Sequence, residues 1–130
     1  MHMKIIILFT MLLLHVYDDF HFQTNSFLAN GKQKSWWQAQ TTDTMYKHDY
    51  LVCLILHAFT WTCAIMLPVV LYNRLQVDFT HLLIFFMNMS IHAYIDDLKA
   101  NRHKINLIQD QTAHILQIIG TWLIFVWFQV

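Results

Sequence analysis

Three histidine–aspartate pairs recur in this 130-residue chain at a spacing of four: His15/Asp19, His92/Asp96 and Asp110/His114. On a helix that spacing puts both side chains on one face, about one turn apart. His57 stands without such a partner, embedded in an apolar run. Neutral imidazole and carboxylate are ligands for zinc, iron or manganese, and pairs from facing helices build metal sites in bundle cores. The set of seven therefore predicts a divalent transition-metal site. Magnesium and calcium, which prefer oxygen, fit it less well. Seven candidates exceed the ligands of one closed zinc site, which leaves room for one ion with supporting carboxylates, or for two ions. In a catalytic version Asp19, Asp96 and Asp110 are the candidate bases. Lys99, one turn beyond Asp96, is the candidate for holding an anion or stabilising charge. Two metal-free readings compete: a buried polar network that ties helices together, and a proton relay. Cys53, one turn before His57, reads as a small buried residue rather than a soft ligand. The lone histidines His2, His21, His48, His81 and His103 read as hydrogen-bonded or snorkelling residues.

The elements that must carry these residues are helices in lipid. The chain is 57% hydrophobic and 12% charged, with two glycines and one proline, a composition that suits membrane helices better than a soluble domain. Zero formal net charge gives no reason to expect a nucleic-acid partner. Four apolar runs, roughly 4–22, 50–72, 79–98 and 106–130, predict an all-α, four-helix transmembrane bundle forming a single domain over 1–130. The first run is short for a span and resembles a signal peptide. No small-x-small cleavage pattern follows Leu14, so it is read as a retained helix. Pro68 is expected to kink the second helix. Cys53 and Cys63, ten residues apart on that helix, are expected to be thiols. Lys32, Lys34, Lys47, Lys99, Arg102 and Lys104 flank one side, against Lys4 and Arg74 on the other. Connections 23–49 and 97–111 are thereby assigned to the cytoplasm and both termini to the outside. Trp36 and Trp37 suit a segment lying at the membrane surface. With this topology all seven candidates fall at the cytoplasmic end, His57 about 10 Å below the start of its helix. Trp122, Phe125, Trp127 and Phe128 are expected to face lipid or another subunit, in a homo-oligomer or a larger membrane complex.

The same residues carry a family resemblance. His15-Val16-Tyr17-Asp18-Asp19-Phe20-His21-Phe22-Gln23 resembles an H-x-x-x-D-F-x-x-Q block, with Asp18 where that pattern has glycine. His57 follows in an apolar helix, then His92-Ala93-Tyr94-Ile95-Asp96-Asp97-Leu98-Lys99 resembles H-x-x-I-D-x-x-K, and Asp110-Gln111-Thr112-Ala113-His114 resembles D-Q-x-x-H. In this order the blocks resemble the domain-of-unknown-function 3307 family of small bacterial and phage membrane proteins. That resemblance implies an integral protein of the bacterial cytoplasmic (inner) membrane and no particular activity. Three functions stay open: a metal-dependent hydrolase working on an amphipathic substrate at the cytoplasmic leaflet, a non-enzymatic subunit of a membrane complex, and a proton or ion relay.

Overall fold

The computed structural model describes residues 2–22 and 27–127. Gln23 and Phe128, both singled out from the sequence, lie outside the described residues. Helix α1 (His2–Tyr17) runs on into a π-helical turn, Asp18–Phe22. Two short helices follow, α2 (Phe27–Gly31) and α3 (Lys34–Gln40), then a 3-10 turn, Thr44–Tyr46. The remaining long helices are α4 (Asp49–Tyr72), α5 (Phe79–Ala100) and α6 (Leu107–Trp122), the last continuing as a π-helical segment, Leu123–Trp127. No strand occurs among the described residues.

Local chemistry fixes the helix starts. Asp78 caps α5 by accepting the backbone N–H of His81, and Asn106 caps α6 by accepting that of Gln109. The His81 ring nitrogen and then its backbone N–H hold the Asp78 carboxyl below the usual carboxylate range. Between α4 and α5 the chain turns through Arg74 and Leu75, both left-handed, at φ 55° and 63°. Neither is glycine, so the turn holds a conformation that L side chains disfavour.

The four long helices pack in the cyclic order α1, α4, α5, α6, and α2 lies against α4. Their shared interior has two zones. One is apolar: Ile7, Met11, Trp61, Ile65, Met66, Val69, Ile118, Trp122, Phe125 and Val126. The other is polar and contains His15, His57, His92, Asp96, Asp110 and His114, all buried. The outer faces of the long helices carry large apolar side chains as well. Ile6, Phe9 and Leu13 of α1, Ile55 and Phe59 of α4, Leu83 and Phe86 of α5, and Leu116 of α6 all stand exposed.

By length and apolarity alone, one helical stretch among the described residues qualifies to cross a membrane: Thr44–Tyr72, with mean hydropathy 2.0. The helices either side of it fall short for visible reasons. As regular α-helices α1 and α6 have 16 residues each, and the apolar run of α5 is broken by His81, Asn88, His92 and Asp96. Pro68 lies inside α4, which remains helical through it. The aromatic expectation needs correcting. Trp122 and Phe125 point into the bundle, where the Trp122 indole donates to the Lys4 carbonyl at 2.8 Å and Phe125 stacks on His81 at 4.4 Å. Trp127 is exposed, as expected.

Candidate metal centre

Three imidazoles from three helices converge on one carboxylate. His57 Nε2 of α4 is 2.8 Å from Asp96 Oδ2, and His114 Nε2 of α6 is 3.3 Å from Asp96 Oδ1. His92 Nε2 of α5 lies 3.1 Å from His57 Nε2 and 3.9 Å from Asp96 Oδ2. The three histidines are at most 1% exposed and Asp96 4%. Ligand atoms bound tetrahedrally at about 2.0–2.1 Å from one ion sit about 3.3 Å from each other. The contacts of 3.1 and 3.3 Å lie near that spacing, that of 2.8 Å is shorter and is a hydrogen-bond distance, and that of 3.9 Å is longer. His92, Asp96 and His114 each offer one ligand atom within 4.8 Å of the others, and so do Asp19, His57 and His92. These His/Asp groups are thus geometrically able to hold a metal ion.

A ring of further contacts orients this core. The Trp61 indole donates to His15 Nδ1 at 2.8 Å. An indole N–H only donates, so His15 Nδ1 carries no proton, and its Nε2–H donates to Gln111 Oε1 at 3.1 Å. Both ring nitrogens of His15 are therefore engaged, although Asp19 Oδ2 is 3.5 Å from Nδ1. The Gln111 amide donates in turn to Asp19 Oδ2 at 3.2 Å and Asp110 Oδ2 at 3.1 Å. Asp110 also receives Lys99 Nζ at 2.7 Å and lies 3.5 Å from His114 Nε2. Trp61 stacks on His92 at 4.1 Å, and His92 on His114 at 4.2 Å, so the rings hold one another in place.

Not every buried polar atom is satisfied. The Nδ1 atoms of His57, His92 and His114 and the carboxylate oxygens Asp19 Oδ1 and Asp110 Oδ1 are buried without a hydrogen bond. Native proteins rarely leave such groups unpaired; the two carboxylate oxygens are spare acceptors, and each Nδ1 that carries the ring proton when Nε2 is the ligand atom is a donor without a partner.

All seven residues expected from the sequence sit in this cluster. Gln111 and Lys99 join them, and so do two residues the sequence reading missed, Trp61 and Lys32. Trp61 follows His57 by four residues and shares its face, a signal the sequence did offer. Lys32, just past α2, carried no such signal. Its ammonium contacts Asp96 Oδ2 and lies 3.0 Å from His57 Nε2. The chain around it is tightly seated. A side chain on Gly31 would put its Cβ 2.6 Å from Cys53 Sγ. The Trp37 indole donates to the Gly31 carbonyl at 2.7 Å, and the Asn101 amide to the Lys32 carbonyl at 3.1 Å. The Lys34 backbone N–H donates to Asn101 Oδ1 at 2.8 Å. His81 takes no part, being held by Asp78 and Asn73 near the α4–α5 turn, and His103 lies exposed in the turn after α5.

Residues 7–130 match the family described as "Protein of unknown function (DUF3307)", a stretch that takes in all seven cluster residues predicted from the sequence. The chain belongs to that family. No curated protein and no solved structure matches it. The function must therefore be argued from the cluster itself.

Proposed function

We propose that this chain is a four-span membrane protein that binds a divalent transition metal through His57, His92, His114 and Asp96 at the cytoplasmic end of the bundle. The single observation that carries the metal reading is that buried His92, Asp96 and His114 each offer a ligand atom within 4.8 Å of the others, with His57 Nε2 beside them at 2.8 Å from Asp96 Oδ2. The membrane reading rests on apolar side chains outside every long helix and ionisable ones inside. With their π-helical continuations α1 and α6 each reach about 30 Å, enough to cross a hydrocarbon core. The lysines Lys32, Lys34 and Lys99 gather at the cluster end, which agrees with a cytoplasmic face.

A divalent ion here would supply Lewis acidity to a substrate carbonyl or phosphoryl oxygen. The chain's own groups suit hydrolysis of an amphipathic substrate. Asp19 has an oxygen without a hydrogen bond and can take a proton from water, while Gln111 holds its other oxygen. His15 is fixed by Trp61 and Gln111 and acts as a positioning residue. Lys99 balances Asp110 beside His114.

Metal analysis of protein purified in detergent without chelator tests the proposal. About one equivalent of a transition metal is expected, lost in His92→Ala and His114→Ala and retained in His81→Ala. Protein that stays metal-free after incubation with zinc, iron, manganese and cobalt would overturn it. One observation favours a second reading, a polar network without metal. Lys32 and Lys99 already pair with Asp96 and Asp110, so much of the buried charge is balanced within the chain. In that case chelators leave thermal stability unchanged, and His92→Ala still destabilises.

A further inference from the structure

Lys32 approaches the same two atoms that the proposed ion needs. We infer that its ammonium and a divalent metal are mutually exclusive occupants of the His57/Asp96 pair, so that Lys32 sets the threshold for metal binding. The inference rests on the metal reading above and adds its regulation.

The Lys32 ammonium can only donate, and it donates to Asp96 Oδ2 while lying 3.0 Å from His57 Nε2. In one His57 tautomer Nε2–H donates to Asp96 Oδ2; in the other, the one a metal ligated through Nε2 requires, the proton sits on Nδ1 and the Nε2 lone pair accepts from Lys32. With Nε2 unprotonated, two lone-pair atoms, His57 Nε2 and Asp96 Oδ2, face each other 2.8 Å apart. Such a pair repels unless a cation lies against both. Lys32 is that cation. A metal ligated by the same nitrogen would claim the same lone pair and place two like charges in one buried site. One must leave.

The geometry also says which part moves. The backbone of residues 31–34 is pinned by Trp37 and Asn101 and seated against Cys53. The lysine stem has no such anchor and its side chain is 19% exposed, a partial opening for the ammonium to swing out while the backbone stays. Lys34, two residues on, is a natural control. Its ammonium lies over the Tyr50 ring at 4.7 Å, away from the cluster.

Cobalt(II) titration of detergent-purified protein, followed by visible ligand-field absorption at one fixed pH, tests this. Lys32→Met should bind Co²⁺ at least tenfold more tightly than the wild type, with the same stoichiometry, and Lys34→Met should match the wild type. In the wild type, saturating Co²⁺ should raise the acylation of Lys32 by an amine-reactive ester several-fold, read by mass spectrometry, with Lys34 unchanged. Equal or weaker binding by folded Lys32→Met, with full stoichiometry in both proteins, overturns the inference and leaves the metal reading standing. Should Lys32→Met not fold, Lys32→Gln and the wild-type acylation carry the test, and acylation of Lys32 that ignores cobalt overturns the inference. Absence of Co²⁺ binding in every protein removes the metal reading and this inference together.

Discussion

Helix α5 holds two buried histidines eleven residues apart, and their surroundings differ in kind. His81 is satisfied by its neighbours: Nδ1 meets Asp78 Oδ1 at 2.8 Å, Nε2 meets the Asn73 amide at 3.0 Å, and the ring stacks on Phe125. His92 meets other histidines and one carboxylate on one side and has nothing to bond on the other. Burial alone therefore does not separate a helix-capping histidine from a candidate ligand. The accounting of hydrogen-bond partners does. Both ring nitrogens of His81 are bonded, whereas His57, His92 and His114 meet one another and Asp96 through Nε2 and leave Nδ1 without a partner.

The largest effect should come from removing the carboxylate on which the cluster turns. Asp96→Ala strips His57, His114 and Lys32 of their shared partner at once. Lys32 can turn to solvent, but His57 and His114 stay buried without that partner, at about 1–3 kcal/mol for each group left unsatisfied. Thermal unfolding in detergent should show a loss of that order, against a much smaller one for Asp78→Ala, whose carboxylate is exposed. Similar losses for the two would erase the distinction between the two histidine environments.

The difference between the two environments was half legible in the sequence. The spacing of four announced His15/Asp19, His92/Asp96 and Asp110/His114 because helical period is a local property. Trp61 was missed, although its place one turn after His57 offered the same signal. Lys32 offered none, since its partners lie 25 and 64 residues away and no period links them. Trp122 and Phe125 were expected on the outside for a different reason. Where the outer face of a helix is as apolar as its inner face, hydrophobicity no longer tells core from surface. Only packing against Lys4 and His81 decides.

A middle-sized effect probes how Lys32 is delivered to the cluster. Gly31→Ala places a methyl 2.6 Å from Cys53 Sγ, so α2 or α4 must give way. Overpacking of this sort costs about 1–3 kcal/mol. The double substitution Gly31→Ala/Cys53→Ala frees the space and should restore most of the lost thermal stability. If the single variant already unfolds like the wild type, the close seat of α2 on α4 is looser than the backbone geometry requires.

The smallest effect lies at the satisfied histidine, and it sharpens the contrast through pH. Hydrogen bonds from His81 hold the Asp78 carboxyl below the ordinary value of 3.8. A carboxyl with a lowered folded pKa adds stability above its unfolded value, and that share disappears as pH falls through the folded value. At pH 6 Asp78→Asn should therefore unfold slightly earlier than the wild type, and the gap should close as the medium is acidified below pH 3.8. Asp78 is exposed, so salt should shrink the gap as well. Paired melts of the two proteins across pH 6 to 3 measure it directly. The absence of a gap at every pH would mean that His81 is held mainly by Asn73 and Phe125 and that the Asp78 contact adds nothing to the α5 cap, and a gap that widens on acidification would mean that folding raises the Asp78 carboxyl rather than lowers it.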